Sequence, residues 1–392
     1  MGALDGLKVL DFSTLLPGPY ASMMLADMGA EVLKVSSAGK YDLVMGYEPF
    51  IGDTGISACQ AWLNRNKKTM FLNLKTDEAK AIVKELVKEY DIVLEQFRPG
   101  VMDKLGLGYE DLKAVNPGLI YCALTGYGQT GPLRDAAGHD INYMSRSGII
   151  SHAGKSDSGP SLMNFQIADV AVGSMNSVIG ILAAVNYRYR TGKGQFVDVA
   201  MLDGCVPFNS LDGAGFLVDS RQPRREGEML NGGCMYDFYE TSDGEYMSVG
   251  SLEPKFWKDF CMAIERPDLI AGTVWPENKD EVKDQIKAIF RTKTKAEWVE
   301  VFSHYDACVQ PVLNLKEALL EDAHIKAREM VVEVDVPLHE GVKVKQMATA
   351  VKLSECPCEY RHAGYPLGYH TRAVIESLGL DYEALQEKGV FA

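Results

Sequence analysis

The sequence predicts an α/β protein with a mostly parallel sheet in a large domain and a second, smaller α+β domain. Three observations carry this prediction. Strand and helix patterns alternate through the first third of the chain, a long apolar helix follows at 169–189, and the pattern changes after a charged, proline-containing stretch at 221–227. The length of 392 residues is enough for about two or three domains.

The large domain is predicted from repeated β-α-β units, which build parallel sheets covered by helices on both faces. Gly29 ends the first helix, and Thr76 is a side-chain cap for the second. The predicted strands are 7–12, 31–35, 70–74, 91–97, 119–125 and 196–201, and the predicted helices are 20–28, 76–90, 109–115 and 169–189. Ligands in such sheets bind at the carboxyl ends of the strands, so we expect the functional residues in the loops that follow the strands.

The smaller domain is predicted to open with a hairpin. Two strand patterns, 236–240 and 245–249, flank Asp243-Gly244, a pair typical of tight hairpin turns. Helices are predicted at 255–264, 281–290 and 295–303. From about residue 331 the chain shows a strand pattern again and ends in a helical segment.

Composition and charge exclude several classes of protein. Lys and Arg number 40 against 54 Asp and Glu, a formal net charge of −14, which argues against a general nucleic-acid binder. The eight cysteines have no metal-binding spacing and favour reduced thiols in the cytosol. With no signal-peptide pattern and no run of 18 apolar residues, we expect a cytoplasmic protein without membrane partners and without a metal.

Four features at predicted strand or helix ends could carry chemistry, and each also has a structural interpretation. The segment 126–131 (GYGQTG) matches G-x-G-x-x-G, but no helix opens after it, so we interpret it as a loop that lets a ligand approach. His139 follows it, as either a structural or a site histidine. Asp169 is either a helix cap or a carboxylate beside free N–H groups that could stabilise an oxyanion. Glu253 alone is typical of a solvated cap.

Five segments resemble the class III CoA-transferase family, which includes the α-methylacyl-CoA racemases. They are LKVLDFSTLLPGPYASMMLADMGAEVLKV (7–35), NRNKKTMFLNLK (64–75), FRPGVMDKLGLGYEDL (97–112), LTGYGQTGP (124–132) and YRTGKGQFVDVAMLDG (189–204). The racemase branch is the most similar. GHDINY (138–143) contains a His that transferases often lack, Ala168-Asp169 heads the long helix, and GSLEPKFW (250–257) is similar to the Glu-Pro segment of racemases.

The resemblance implies a large Rossmann-like CoA-binding domain at 1–204 and 331–392, a linker at 205–228 and a small domain at 229–330. It also implies an interlocked-ring homodimer, in which the active site lies between the large domain of one subunit and the small domain of the other. The implied substrate is an acyl-CoA thioester, and the implied reaction is α-methylacyl-CoA racemisation with no cofactor beyond coenzyme A itself.

The same resemblance implies a role for each candidate residue. His139 and Asp169 match the two acid/base residues that move the α-proton, and the N–H groups at the head of the long helix would stabilise the thioester enolate. Glu253 and Asp140 match residues that orient the imidazole. The residues matched to CoA or substrate contacts are Arg98, Lys34, Gly126, Tyr127, Gly128 and Tyr143.

The sequence departs from the racemases at two places, and two other functions stay open. The stretch 35–39 lacks the usual Asp-Arg-Pro-like run, a difference that affects the expected ADP contacts. The stretch 163–167 lacks the usual Leu-Asn-Leu, a difference that affects the expected shape of the acyl pocket.

One alternative is a CoA-transferase in which Asp169 is the nucleophile and passes through an aspartyl-CoA thioester. The other is a non-catalytic subunit of a hetero-oligomeric transferase. Branched fatty acyl, bile-acid side-chain, arylpropionyl and succinyl-like groups are all open as the acyl group.

Overall fold

The structure is a computed structural model that describes residues 1–40 and 42–392. Residue contacts divide the chain into two compact units. The first contains Met1–Ser147, Phe165–Pro207 and Ala323–Ala392, and the second contains Gly148–Asn164 and Phe208–Asp322.

The strands of the first unit form a parallel sheet and a separate antiparallel hairpin, and the second unit has an antiparallel sheet. In chain order the strands are β1 (Lys8–Asp11), β2 (Glu31–Ser36), β3 (Lys68–Phe71), β4 (Ile92–Glu95), β5 (Ile120–Thr125), β6 (Phe196–Ala200), β7 (Asp237–Glu240), β8 (Tyr246–Val249), β9 (Val309–Pro311), β10 (Val331–Asp335) and β11 (Lys343–Met347). The parallel sheet has the order β3-β2-β1-β4-β5-β6. This is the Rossmann order, so the predicted mostly parallel sheet is confirmed, and the strand order reverses between β1 and β4.

The helices cover this sheet and build most of the second unit. In chain order they are α1 (Pro17–Asp27), α2 (Ala58–Leu63), α3 (Asp77–Val87), α4 (Val101–Lys104), α5 (Tyr109–Lys113), α6 (Asp140–Ser147), α7 (Met175–Thr191), α8 (Met201–Cys205), α9 (Ser210–Asp219), α10 (Pro254–Ala263), α11 (Lys279–Phe290), α12 (Lys295–Phe302), α13 (Ala323–Ala327), α14 (Thr371–Ser377) and α15 (Tyr382–Glu387). A π-helical segment, Ile167–Ser174, runs directly into α7.

The core of the first unit forms where helices bury their apolar faces on the parallel sheet. Helix α3 shows the principle: Thr76 caps it by accepting from the N–H of Ala79, and Ile82, Val83 and Leu86 are buried against the sheet. The helical stretch Ile167–Thr191 is long and apolar enough to cross a membrane by length and composition alone. In the structure one face of this stretch packs on β5, β6 and α1.

The C-terminal segment of the first unit is held by a buried ion pair. Arg65 is 0% exposed and donates to both carboxylate oxygens of Asp27, at 3.0 and 2.6 Å. Its remaining nitrogen donates to the side chain of Gln346 and the carbonyl of Met347, each at 3.0 Å, while the hydroxyl of Thr349 donates to Asp27 at 2.5 Å. One residue of the N-terminal part thereby fastens strand β11 and the segment that follows it.

The second unit contains the predicted hairpin. Strands β7 and β8 pair antiparallel, and Gly244 adopts a φ of +76° in the turn between them. Strand β9 adds to β8, and the aromatic side chains of α10, α11 and α12 form the core behind the sheet. These side chains are Trp257, Phe260, Phe290, Trp298 and Phe302.

Two stretches differ from the domain boundaries that the resemblance implies. The predicted linker, 205–228, contains helix α9, Ser210–Asp219, although this stretch includes Gly213 and Gly215 and has low intrinsic helix propensity. The segment Gly148–Asn164 groups with the second unit, although the sequence places it within the large domain. Hydrogen bonds from Lys155 and Ser156 to Glu226 tie it there.

Candidate active site

The loops after β1 and β4 meet at the carboxyl edge of the sheet, where the strand order reverses. The backbone N–H of Gly18 donates to Oε1 of Gln96 at 3.1 Å, and a Cβ on Gly18 would stand 2.8 Å from the same oxygen. Arg98, one of the predicted CoA contacts, lies in the second loop and is exposed. The guanidinium of Arg134, a residue that no sequence pattern singled out, lies beside Gly100 of that loop. This edge therefore presents two cationic side chains.

Lys34 lies in the core, not at this edge. It is 1% exposed, and its ammonium group donates to the carbonyl of Ser13 and stands 3.6 Å from the carboxylate of Asp11. The ammonium group of Lys67 stands 3.4 Å from the other carboxylate oxygen of Asp11 and completes the cluster. Although burial raises the pKa of Asp11, the two lysines and two serine hydroxyls bring it down to about 2. The phosphate contact that the resemblance implies for Lys34 is therefore not supported, because its ammonium group is buried in the core with Asp11 and Lys67.

The glycine-rich loop after β5 is fixed by its own hydrogen bonds. Gly128 adopts a φ of +82°, and its N–H donates to the hydroxyl of Thr125 at 2.9 Å. The N–H of Gln129 donates to Asp198 on β6 at 3.1 Å. The ring of Tyr127 stands edge-on to Tyr143, with 5.2 Å between the ring centroids. The loop thus connects the ends of β5 and β6 to α6.

His139 is the residue that precedes α6, and its backbone is held at the start of the helix. Its N–H donates to the side-chain oxygen of Asn142 at 3.0 Å, while its carbonyl accepts from the N–H of Asn142 at 2.8 Å. This is half of a capping box. The side chain of His139 is exposed. The hydrogen bonds of His139 in the structure thus hold its backbone, from which the exposed imidazole projects.

Asp169 stands in the first turn of the π-helical segment, and Asp140 caps that turn. The N–H groups of Asp169 and Ala168 both donate to the carboxylate of Asp140, the first at 2.9 Å. This contact gives Asp140 a structural role that the resemblance did not imply. Asp140 binds the backbone of the helix head, and the N–H groups that were expected to meet an enolate oxygen are occupied in the free protein.

The surroundings of Asp169 give it an unusual affinity for protons. Burial, and after it the charge of Asp140, raise the pKa of Asp169 to about 6 against the opposing charge of His139. Cys205 is fully buried beside both carboxylates, and burial together with their charges raises the pKa of its thiol to about 11.

The hydroxyl of Ser174 donates to the carbonyls of Pro17 and Asp169, at 2.6 and 3.0 Å. No pattern in the sequence pointed to Cys205 or Ser174, because only the tertiary fold brings them to this place.

The structure brings together His139, Asp140, Tyr143 and Asp169 in the first unit. Glu253 belongs to the second unit, where it precedes α10 and its carbonyl accepts from the N–H of Trp257 at 2.9 Å. Its carboxylate contributes to a raised pKa of the Cys308 thiol, after the larger effect of burial. Within the described residues, no group of three His, Cys, Asp or Glu side chains is arranged to hold a metal ion.

Comparison with known proteins gives consistent matches over nearly the whole chain. The profile of CoA-transferase family III matches residues 4–371. The human α-methylacyl-CoA racemase is 35% identical over 98% of this chain and 96% of that protein. The succinyl-CoA:mesaconate CoA-transferase of Haloarcula marismortui is 36% identical over 97% of this chain and 98% of that protein. The crystal structure of a CaiB/BaiF family protein from Brucella suis covers 96% of this chain and 99% of its own, with a TM-score of 0.84 and 29% identity.

Proposed function

Because the chain belongs to CoA-transferase family III, whose members act on acyl-CoA thioesters, we propose that it inverts the α-carbon of a 2-methyl-branched acyl-CoA. The observation that carries this proposal is the placement of a carboxylate with a pKa of about 6 beside a histidine, both at the carboxyl edge of the sheet. A base of this strength is ionised at neutral pH and still holds a proton well enough to return it.

The proposed reaction uses two bases on opposite faces of the α-carbon. Asp169 removes the α-proton from one enantiomer, the electrons move into the thioester as an enolate, and the protonated His139 delivers a proton to the other face. In the reverse direction His139 is the base and Asp169 is the acid. The charge of Asp140 supports this exchange, because it raises the proton affinity of Asp169 from a backbone-anchored position.

The remaining parts of the proposal concern binding and assembly. The exposed Arg98 is proposed to contact a phosphate of coenzyme A, which is substrate, and no further cofactor is required. The active form is proposed to be an interlocked homodimer, in which the partner subunit's Glu253 completes the site beside the imidazole. Apolar side chains that the single chain leaves exposed on α7 and α9 support such a partner, among them Ile179 and Leu217.

A second candidate function is CoA transfer between carboxylic acids. It is favoured by the transferase relatives, which are as similar to this chain as the racemases are. In this reaction Asp169 attacks the thioester carbonyl, the CoA thiolate leaves, and a mixed anhydride and then an aspartyl-CoA thioester form in turn. No α-proton moves in any of these steps.

The two functions are separated by incubating the protein with a (2R)-2-methylacyl-CoA in D2O and no free acid. We expect deuterium at the α-carbon and loss of optical purity. Absence of exchange, together with CoA transfer once a free carboxylic acid is added, would establish the transferase instead.

His139→Ala then tests the two-base mechanism. We expect inversion to fall by about 10²–10⁴-fold, while exchange survives for the enantiomer that Asp169 deprotonates. Full retention of inversion would show that His139 is not the second base. The enantiomer that loses its exchange in this variant is the one whose α-proton faces His139.

A further inference from the structure

Tyr143 is buried next to the proposed catalytic pair, and its hydroxyl has a definite partner. The side chain lies on α6 and is 5% exposed. Its hydroxyl donates to the carbonyl of Gly138 at 2.6 Å, and Gly138 directly precedes His139. The tyrosine therefore reaches back from the first turns of the helix to the loop that carries the imidazole.

Two glycines make room for this ring. A Cβ on Gly126 would stand 2.5 Å from Cε1 of Tyr143, and a Cβ on Gly138 would stand 2.7 Å from the same atom. Neither residue has a positive φ, so close packing is the reason for glycine at both places. The loop after β5 and the loop before α6 are therefore both shaped around the Tyr143 ring.

We propose that Tyr143 is a positioning residue that sets the direction of the His139 imidazole, an inference that rests on the racemase function proposed above. The peptide between Gly138 and His139 is held at both ends, by the Tyr143 hydroxyl at the carbonyl of Gly138 and by Asn142 at the N–H of His139. These two hydrogen bonds hold the backbone from which the exposed imidazole projects toward one face of the α-carbon. An acid or base that is displaced by about 1 Å can lose about 10²-fold in rate.

The hydroxyl of Tyr143 acts as a fixed donor and takes no part in proton transfer. Burial raises its pKa to about 12, and the charge of Asp169 adds to this effect, so the group keeps its proton at any working pH. That proton is engaged by the carbonyl of Gly138.

The test is Tyr143→Phe, which keeps the ring and removes the hydrogen bond. Exchange of the α-proton in D2O is measured separately for the two enantiomers, together with kcat and KM. We expect exchange on the His139 face to fall by about 10–10²-fold, while exchange on the Asp169 face and KM stay within about twofold. Gly138→Ala, which forces the same carbonyl away from the ring, is expected to show the same one-sided loss.

Tyr239→Phe is the matched control, because Tyr239 is also buried and its hydroxyl donates to a backbone carbonyl, that of Met235, at 2.9 Å in the second unit. It is expected to leave both exchange rates unchanged. Equal losses on both faces in Tyr143→Phe would show that the hydroxyl acts on the shared enolate, and no loss would show that it positions nothing; either result overturns the inference. A wild-type protein that exchanges neither enantiomer would instead refute the racemase function itself.

Discussion

The carboxylate of Asp169 shows how a single residue combines a structural and a chemical role. The sequence left a helix cap and a catalytic carboxylate as equal possibilities, and the structure assigns capping of the first turn to Asp140. The Asp169 side chain is thereby left free for chemistry, in half-buried surroundings that raise its pKa to about 6.

Asp169→Asn is the first prediction. The amide has nearly the same shape but cannot remove a proton or attack a thioester, so activity should fall by at least about 10²-fold under either proposed reaction. The melting temperature should not fall. The raised pKa means that ionised Asp169 destabilises the folded state as the pH rises from 3.8 through about 6, and the neutral amide removes this effect. The exposed Asp53→Asn is the control, and near-normal turnover by a folded Asp169→Asn protein would contradict the assignment.

Lys34 shows why one residue could not be placed from the sequence. Strand β2 is buried on both faces, so its pattern does not distinguish an inward from an outward side chain. The parallel register sets Lys34 opposite Asp11 on β1, and that pairing depends on strand order. Lys34, which the resemblance matched to a CoA contact, therefore belongs to a buried cluster with Asp11 and Lys67.

At the scale of elements, the strands and helices were largely predictable, and their irregular ends were not. The alternating pattern located all six strands of the parallel sheet, although β3 begins at Lys68, earlier than the predicted 70. The long helix was predicted from 169, but it opens at Ile167 as a π-helical segment, in which the N–H of Met175 donates to the carbonyl of Val170. No residue pattern in the sequence predicts a π-helical turn, because tertiary contacts stabilise it.

The capping of this turn by Asp140 leads to a prediction about pH. In the direction in which Asp169 is the base, kcat/KM should decline as the pH falls through about 6, because the carboxylate becomes protonated. Asp140→Asn retains a capping oxygen but removes a negative charge, so the pKa of Asp169 should fall and the acid limb should move to lower pH. The exposed Asp135→Asn serves as the control. An unmoved acid limb would show that Asp140 does not set the basicity of Asp169.

The attachment of strand β11 gives a prediction about stability. Arg65→Met leaves the buried carboxylate of Asp27 without its ion-pair partner, and breaking such a pair costs about 3–5 kcal/mol in the free energy of unfolding. Arg65→Lys should recover only part of this loss, because an ammonium group cannot make the two-pronged contact. Arg372→Met removes two exposed ion pairs, which water screens, and should therefore cost much less. Denaturant unfolding that finds the two Met variants equally stable would rule out this anchoring role.

At the scale of the whole molecule, features that follow from a local sequence pattern were predictable, and contacts between residues far apart in the chain were not. The parallel sheet follows from the repeated β-α-β pattern, and the place of His139 near its carboxyl edge follows from its position after a strand, whereas Asp169 was predicted only at the head of the long helix. The cap from Asp140 to the N–H of Asp169 spans 29 residues, and the hydrogen bond from Thr349 to Asp27 spans 322. Contacts between residues so far apart in the sequence depend on the order of the strands in the sheet, and a local sequence pattern does not specify that order.

The proposed homodimer would cover apolar side chains that α9 exposes in the single chain. Leu217 and Val218 on α9 are 84% and 89% exposed in the single chain, which is uncommon for adjacent large apolar side chains on a helix. An interlocked pair would bury well over about 2,000 Å², so sedimentation at low concentration should show twice the chain mass and no compact monomer.

Leu217→Asp with Val218→Asp tests whether α9 takes part in that interface. In an isolated chain both side chains already face solvent, so the double substitution would change the free energy of unfolding by less than about 1 kcal/mol. If a second copy covers α9, four charges enter the interface of each dimer, and the yield of dimer and the melting temperature should both fall. A control pair on an exposed polar surface, Glu383→Gln with Glu387→Gln on α15, should leave assembly unchanged. A normal dimer from the α9 variant would place the interface elsewhere, and a compact monomer from the unaltered chain would exclude the interlocked assembly altogether.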